Sequence, residues 1–166
     1  LHMQSLGALG HYDFNMPTAH GYEQALAVVR DLGLGMDDIE EMYRRMVFNI
    51  VARNQDDHVK NTAFLMDREG TWSLAPAFDV TYSYNPSGRY TNQHQMTLNG
   101  KADGFTVDDF KACARTASIK RGVAESIIGE VQTVVSRWPD YADEAGVTPS
   151  QRDKIRGVLR TTPFPA

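Results

Sequence analysis

The stretch of sequence that decides the fold runs from residue 54 to residue 79 and reads NQDDHVKNTAFLMDREGTWSLAPAFD. It begins with a polar segment, residues 54–61, which lies between two apolar patterns. Upstream, residues 37–53 carry apolar side chains at helical spacing. Downstream, residues 62–66 and 71–75 have the short apolar runs of two strands joined by a turn. The stretch therefore predicts a helix, a polar loop and a β-hairpin in direct succession.

The rest of the chain is predicted to be mostly helical, because apolar residues recur at intervals of three and four. The further predicted helices cover residues 22–32, 106–115, 123–138 and 148–159, and Pro139 is expected to end the third of them. Residues 1–14 fit a buried connector, and residues 82–95 an irregular segment. With 166 residues and 42% hydrophobic content, one core is expected. We therefore predict a mainly α fold of five helices with one small β-hairpin beside the loop, forming a single domain over residues 1–166.

Within the polar loop, Asp56 is followed five positions later by Asn61. The catalytic loop of protein kinases has this spacing: its Asp accepts the proton of the substrate hydroxyl, and its Asn binds magnesium. Asp79 follows the hairpin and is the candidate for a second magnesium ligand. Magnesium prefers oxygen ligands and retains positions for water and phosphate, so one carboxylate and one amide oxygen suffice. Taken singly, an Asp or Asn such as Asp56 or Asn61 is most often a helix cap or a turn-forming residue, and it is their combination with Asp79 that favours a functional role.

These residues also resemble a known family. The loop has a D-x-H-x-K-N core over residues 56–61, and residues 76–79 supply a P-x-F-D element. Together they resemble the C-terminal lobe of the HipA-type serine/threonine kinases, which are the toxins of bacterial toxin–antitoxin pairs. The weaker patterns of residues 95–101 and 119–121 fit the same lobe.

The resemblance implies a helical kinase-like C-terminal lobe that uses ATP and Mg²⁺ to phosphorylate a protein substrate. It implies Asp56 as catalytic base and Asn61 and Asp79 as magnesium ligands. It also implies that the nucleotide is contacted by these two ligands and by His58, Lys60 and Phe78. It also implies a HipB-like antitoxin as partner, with weak or indirect DNA contact through that complex. The chain starts at Leu1 and contains no glycine-rich phosphate loop, so we expect it to be a fragment whose nucleotide-binding lobe precedes it.

For several side chains, the sequence leaves two interpretations open. Asp57 is either a solvated neighbour of Asp56 or a helper within the loop. The basic residues Lys111, Arg115, Lys120 and Arg121 form either a solvated surface or a contact for DNA or an antitoxin. The other histidines outside the loop that we considered, His11, His20 and His94, have no zinc-like spacing and are assigned no ligand role.

Composition narrows the class of protein further. The formal net charge of −4 argues against a surface dominated by nucleic-acid binding. A single cysteine, Cys113, excludes an intrachain disulfide and favours a small buried side chain. The sequence has no membrane-length apolar run and no signal-peptide pattern, so we expect a cytoplasmic protein.

Two other functions remain open from the sequence. The chain could serve as a non-catalytic binding module of a toxin–antitoxin–DNA assembly, or as a metal-dependent phosphohydrolase that uses the Asp–His cluster. The second is weaker, because few His and carboxylate residues are spaced as metal ligands.

Overall fold

A computed structural model describes residues 1–165 as a mainly helical fold with one small sheet. Its elements, in chain order, are β1 His2–Ser5, α1 Leu6–Gly10, α2 Tyr22–Asp31, α3 Met36–Val51, β2 Ala63–Met66, β3 Trp72–Leu74, α4 Val107–Thr116, α5 Arg121–Ser136, α6 Trp138–Glu144 and α7 Pro149–Arg156. The predicted mainly α class is confirmed. The described residues contain two more helices and one more strand than predicted.

Helix α3 lies at the centre of the fold and leads directly into the polar loop. One wide apolar face of this helix is buried against α2 and α5. Its buried residues are Ile39, Met42, Tyr43, Met46, Val47, Ile50 and Val51. The helix begins at Met36 after its cap residue Gly35, and Asp37 lies in its first turn. Packing on both sides fixes the axis of α3, and with it the place where the loop starts.

The predicted hairpin is present as β2 and β3, but it belongs to an antiparallel sheet of three strands in the order β1-β2-β3. Phe64 of β2 is the central residue, opposite Gln4 on one side and Leu74 on the other. The buried-connector interpretation of residues 1–14 was wrong for β1. Its four residues, HMQS, lack an alternating pattern, and they form a strand because β2 offers an edge to pair with.

Pro139 begins a helix, whereas we expected it to end one. Helix α5 stops at Ser136, and α6 starts at Trp138 with proline in its first turn. Proline is well tolerated there, because the first N–H groups of a helix have no partner within the helix. The other helix missed from the sequence is α1, which has only five residues and contains two glycines.

The segment after α7 returns to the end of α3. The backbone N–H of Arg160 donates to Val51 O at 3.0 Å, and Arg53 Nε donates to Val158 O at 2.9 Å. Helix α7 itself starts at the predicted cap, Thr148, whose side chain accepts from the Gln151 N–H. The C-terminal segment therefore packs against the helix end that positions the loop.

The structure also bears on what the sequence predicted for Cys113 and for membrane-spanning segments. Cys113 is buried and its Sγ lies 3.9 Å from Met46 Sδ, which confirms its interpretation as a small core residue. Burial raises the pKa of the Cys113 thiol, so it stays protonated. Among the helices of residues 1–165, none has the length and apolar character needed to cross a membrane.

Candidate functional site

The end of α3 turns the chain sharply into the loop. Arg53 has φ 59°, the left-handed conformation that commonly terminates a helix. Asn54 then bonds back to Asn49 twice: its N–H donates to Asn49 O at 2.9 Å, and its Nδ2 donates to Asn49 Oδ1 at 3.0 Å. These bonds fix the direction in which the next residues, including Asp56, leave the helix.

One side of the loop presents Asp56, His58, Lys60 and Asn61, which are all at least partly exposed, and we call this set the open face. Asn61 Nδ2 donates to the backbone carbonyl of Asp56 at 2.8 Å. A carbonyl can only accept, so the amide nitrogen of Asn61 must face it and the Oδ1 atom must point elsewhere. Within residues 1–165, neither this oxygen nor the carboxylate of Asp56 has a hydrogen-bond partner. Both are therefore available to a ligand.

Two attachments tie the segment containing Asp79 to the neighbourhood of the loop. The Ala75 N–H donates to Ala63 O at 2.9 Å at the end of the hairpin. Eight residues later, the side chain of Ser83 accepts from the Asp56 N–H at 2.9 Å. Asp79 lies midway between these attachments and is exposed, with φ 52°. A left-handed non-glycine residue is uncommon, although Asp tolerates it better than most.

A cleft of about 560 Å³ opens next to the loop. His58, Asn61 and Phe78 line it, whereas Asp56, Lys60 and Asp79 do not. Asp79 nevertheless stands between two cleft-lining residues, Phe78 and Val80. The structure thus brings three of the six predicted site residues to one cleft and places the other three beside them in the chain.

The opposite walls of the cleft come from α3 and α5. Their charged residues are paired: Arg44 lies 2.7 Å from Glu130, and Arg45 lies 2.8 Å from Glu41. The apolar surface between them is contributed by Phe48, Val131 and Val134. An apolar pocket with a few polar groups at one end is the usual form of a small-molecule site.

Lys60 and His58 both lie near Phe14 at the edge of the open face. Lys60 Nζ is 3.3 Å from the centroid of the Phe14 ring, and the His58 ring centroid is 6.4 Å from it. His58 Nδ1 also accepts from the Lys60 N–H at 3.3 Å. Because the Lys60 ammonium contacts an exposed ring and, within residues 1–165, pairs with no carboxylate, it can exchange this contact for an anion.

Asp57 faces the interior, and the interpretation of it as a solvated neighbour was wrong. Its Oδ2 accepts from the Tyr22 hydroxyl at 2.5 Å and contacts His94 Nδ1 at 2.8 Å, and its Oδ1 accepts from the Gln95 N–H at 2.8 Å. All four residues are buried, and we call them the anchor cluster. Sequence reasoning missed Tyr22 and His94, which lie 35 and 37 positions away from Asp57 in the sequence.

The anchor cluster keeps Asp57 ionised. Three donors point at its carboxylate, namely the Tyr22 hydroxyl, His94 Nδ1 and the Gln95 N–H, and hydrogen bonds to the charged form favour that form against the effect of burial. Burial, followed by the charge of Asp57, raises the pKa of Tyr22 well above its usual value. Tyr22 therefore remains a hydrogen-bond donor to a charged acceptor, which is the stronger type of hydrogen bond.

The oxygen donors of Asn61 and Asp79 suit magnesium better than zinc. Residues 1–165 contain no group of three His, Cys, Asp or Glu side chains able to hold a metal ion. An unpartnered amide oxygen at Asn61 and an exposed carboxylate at Asp79 are hard oxygen donors and leave most of a coordination shell to other ligands. This set fits a cation that arrives with a polyphosphate.

The basic residues of α4 and α5 surround a second, smaller groove of about 290 Å³. Lys111, Arg115 and Arg121 line it, and Lys120 is exposed next to it. Arg121 is 3.1 Å from Glu125 and Lys111 is 3.5 Å from Asp108, so much of the positive charge is balanced locally.

Comparison with known proteins adds three findings. Residues 1–138 match the family described as HipA-like C-terminal domain. The fold is similar to a chain in the structure of the Shewanella oneidensis MR-1 toxin–antitoxin system HipA, HipB and its operator DNA complex, with a TM-score of 0.66 at 16% sequence identity. That match covers 85% of the present chain and 33% of the other, so the present chain spans about a third of its length. No curated protein matches the sequence.

Proposed function

The chain belongs to the family of HipA-like C-terminal domains, and on that premise we propose that it is the catalytic lobe of an ATP- and Mg²⁺-dependent serine/threonine protein kinase. The reaction transfers the γ-phosphoryl group of ATP to a hydroxyl group of a protein substrate. The main support is the arrangement of the loop: Asp56 and Asn61 are joined through one hydrogen bond, and each has an unpartnered oxygen. We take the chain as a single lobe that acts with a preceding nucleotide-binding lobe.

In this proposal, Asp56 is the catalytic base. Its carboxylate accepts the proton of the substrate hydroxyl as that oxygen forms a bond to the γ-phosphorus and the bond to the bridging oxygen of ADP breaks. The Asp56 N–H donates to Ser83, and its carbonyl accepts from Asn61. Because the backbone is held on both sides, the carboxylate is the part of the residue that remains free to orient a hydroxyl.

Asn61 and Asp79 are the proposed magnesium ligands. When bound, the ion neutralises charge on the phosphates of the nucleotide. Asn61 can offer Oδ1 because its Nδ2 is committed to the Asp56 carbonyl. Asp79 can offer its carboxylate because the segment on either side of it is attached near the loop at Ala75 and Ser83.

The remaining residues of the open face are assigned to nucleotide contact. Lys60 would leave the Phe14 ring to pair with a phosphate, a task that suits a compact ammonium group. His58 and Phe78 line the cleft and would contact the nucleotide there.

The decisive experiment is phosphotransfer by the full-length protein with radiolabelled ATP and Mg²⁺. Asp56→Asn should abolish phosphotransfer, because an amide cannot accept the proton, and should leave the fold intact. Asp108→Asn is the matched control, since the Asp108 side chain is 80% exposed in α4, outside the site. Retention of wild-type activity by Asp56→Asn would refute the assignment of the base.

A second function is favoured by a specific observation: the similar structure is described as a complex of HipA, HipB and operator DNA. By analogy, the present chain would contribute to an assembly with a HipB-like antitoxin, with DNA contact made through that partner. Coexpression of the full-length protein with a HipB-like antitoxin, followed by size-exclusion chromatography with and without operator DNA, tests this. If the complex forms while phosphotransfer is absent from the wild type, the chain acts as a binding module.

A further inference from the structure

A buried chain of polar contacts connects the C-terminal segment to the polar loop. Arg160 NH1 contacts His94 Nε2 at 3.0 Å, and His94 Nδ1 contacts Asp57 Oδ2 at 2.8 Å. The side chains of His94 and Asp57 are 0% and 1% exposed, and that of Arg160 is 14% exposed. The family match ends at residue 138, so Arg160 comes from outside the matched region.

The hydrogen-bonding capacity of Arg160 and of Asp57 determines which ring nitrogen of His94 carries a proton. A guanidinium group has only donors, so His94 Nε2 must accept from Arg160 and carry no proton. An ionised carboxylate has only acceptors, so His94 Nδ1 must donate to Asp57. The geometry thus assigns His94 to the neutral tautomer with its proton on Nδ1. A second proton on Nε2 would point at a cation.

Arg160 is well held in the position that this assignment requires. Its NH1 also donates to the Ile50 carbonyl at 2.8 Å, and its NH2 pairs with Asp103. Its guanidinium lies 5.3 Å from the Phe105 ring centroid, and Phe105 also packs edge-on against His94. Burial, followed by the neighbouring Arg53, lowers the pKa of Arg160 to about 10, so it still carries its charge at neutral pH.

We propose that Arg160 and His94 are positioning residues: Arg160 holds His94 in the neutral Nδ1–H tautomer, and His94 thereby holds Asp57 and the adjacent Asp56 in the geometry used for phosphotransfer. Asp57 is the buried neighbour of the proposed base, and the hydrogen bonds of its carboxylate hold the stretch of backbone from which Asp56 projects. The catalytic part of this inference depends on the proposed kinase function. The tautomer part does not.

The first test is the tautomer itself, measured by two-dimensional NMR of the 166-residue chain labelled with ¹⁵N-histidine. The His94 signals are identified by their loss in His94→Asn. We expect one neutral Nδ1–H pattern at neutral pH, because Arg160 donates to Nε2 and Asp57 accepts from Nδ1. Asp57 and Arg160 are the charged groups that contact the ring. The titratable and charged groups next to these two are Tyr22 beside Asp57, and Asp103, Arg53 and Tyr84 beside Arg160.

Arg160→Met should free His94 Nε2, and the ¹⁵N signal of Nε2 should then shift at neutral pH because this nitrogen no longer accepts a hydrogen bond from the guanidinium. Arg156→Met is the matched control, because it removes an exposed arginine from the neighbouring helix α7 and should leave the wild-type pattern. An Nε2–H or doubly protonated His94 in the wild type, or no change in Arg160→Met, would overturn the tautomer assignment.

The second test measures kinetics in the full-length protein. Arg160→Met should lower kcat by about tenfold or more with a smaller change in KM for ATP, because misplacing the base affects the reaction step more than binding. His94→Asn keeps an N–H near Asp57 and should retain more activity than His94→Leu, which keeps none. The pair remains informative even if Arg160→Met fails to fold.

The outcomes separate the two proposals. If the wild type transfers phosphate and Arg160→Met and both His94 variants have wild-type kcat, the positioning role is wrong and the kinase function stands. If the wild type transfers no phosphate, the kinase function is wrong, the catalytic role of Arg160 falls with it, and the NMR result alone decides the tautomer.

Discussion

Asp56 and Asp57 are neighbours in the sequence, and the structure treats them in opposite ways. Asp56 belongs to the open face, and its carboxylate has no hydrogen-bond partner within residues 1–165. Asp57 belongs to the anchor cluster, where its carboxylate has three hydrogen-bond partners, Tyr22, His94 and the Gln95 N–H. One residue step in an extended segment is enough to place adjacent side chains on opposite sides of the backbone.

The difference indicates a division of labour within the loop. A buried carboxylate with three hydrogen-bond partners cannot accept a proton from a substrate without losing interactions, but it fixes the backbone well. An unpartnered carboxylate contributes little to stability and is available for chemistry. We therefore expect substitutions in the anchor cluster to change the free energy of unfolding, and substitutions on the open face to change activity.

The largest effect on stability is expected for Asp57→Asn. The new amide nitrogen would face the donors of Tyr22 and His94, so at least one buried donor would lose its acceptor. We expect a loss of about 3 kcal/mol in the free energy of unfolding, measured by urea denaturation. Asp56→Asn makes the same chemical change one residue away and should cost under about 0.5 kcal/mol. Equal losses for the two variants would remove the distinction between anchor cluster and open face.

A smaller effect is expected for Tyr22→Phe, which removes only the hydroxyl that donates to Asp57 at 2.5 Å and accepts from Asn49 Nδ2 at 3.0 Å. A hydrogen bond to a buried charge is worth about 2 kcal/mol, and one to a neutral carbonyl about 1 kcal/mol. Tyr43→Phe supplies the second case, because the Tyr43 hydroxyl donates to Phe110 O at 3.2 Å. Tyr141→Phe, at an exposed tyrosine, is the control and should change stability by under about 0.5 kcal/mol. Calorimetric unfolding should rank the three variants in that order.

Much of the fold could be predicted from local sequence, and each prediction that failed has a physical cause that can be named. Helix α4 was predicted from Thr106 to Arg115 and forms from Val107 to Thr116, because its cap and apolar spacing lie within one short segment. Strand β1 was missed because its pairing with β2 depends on residues about 60 positions away. Proline has two structural uses, and the sequence around Pro139 does not distinguish between them.

In the candidate site, too, residues within one segment could be recognised from the sequence, and contacts between distant segments could not. The spacing of Asp56 and Asn61 could be recognised because both lie in one loop, and the structure joins them by a hydrogen bond. The anchor cluster could not be recognised, because its members come from α2, the loop and the segment after residue 93. His94 has no spacing that suggests a role, and only the three-dimensional packing places it between Asp57 and Arg160. Their assignment to catalysis stays a prediction.

Acid titration extends the comparison to a second buried carboxylate, Asp109. Burial raises its pKa, but hydrogen bonds from Lys101, Asn99 and Thr106 outweigh this and lower the pKa to about 2. The folded-state pKa lies below the unfolded one, so this stability is present above about pH 4 and is lost as the pH falls towards about 2.

We therefore expect Asp109→Asn to reduce the loss of stability between about pH 5 and about pH 2 by about 1 kcal/mol, after allowance for solvent screening. Urea midpoints measured across this range would test it. The exposed Asp140→Asn, whose carboxylate lies 3.5 Å from Arg137 at the surface, is the control and should follow the wild-type curve. A wild-type slope in Asp109→Asn would mean that its hydrogen bonds do not favour the ionised form.

The smallest stability effect, and the clearest separation from function, is expected at Asp79. Its φ of 52° disfavours residues with a bulky side chain, whereas glycine adopts this conformation readily. Asp79→Gly should thus change the free energy of unfolding by at most about 0.5 kcal/mol, because relief of strain offsets the added freedom of the unfolded chain. Asp79→Val should cost about 1 kcal/mol. If Asp79 is a magnesium ligand, both variants of the full-length protein should lose Mg²⁺-dependent nucleotide binding by calorimetry. Magnesium binding by the carboxylate would then explain why an aspartate occupies a backbone conformation that glycine adopts more readily.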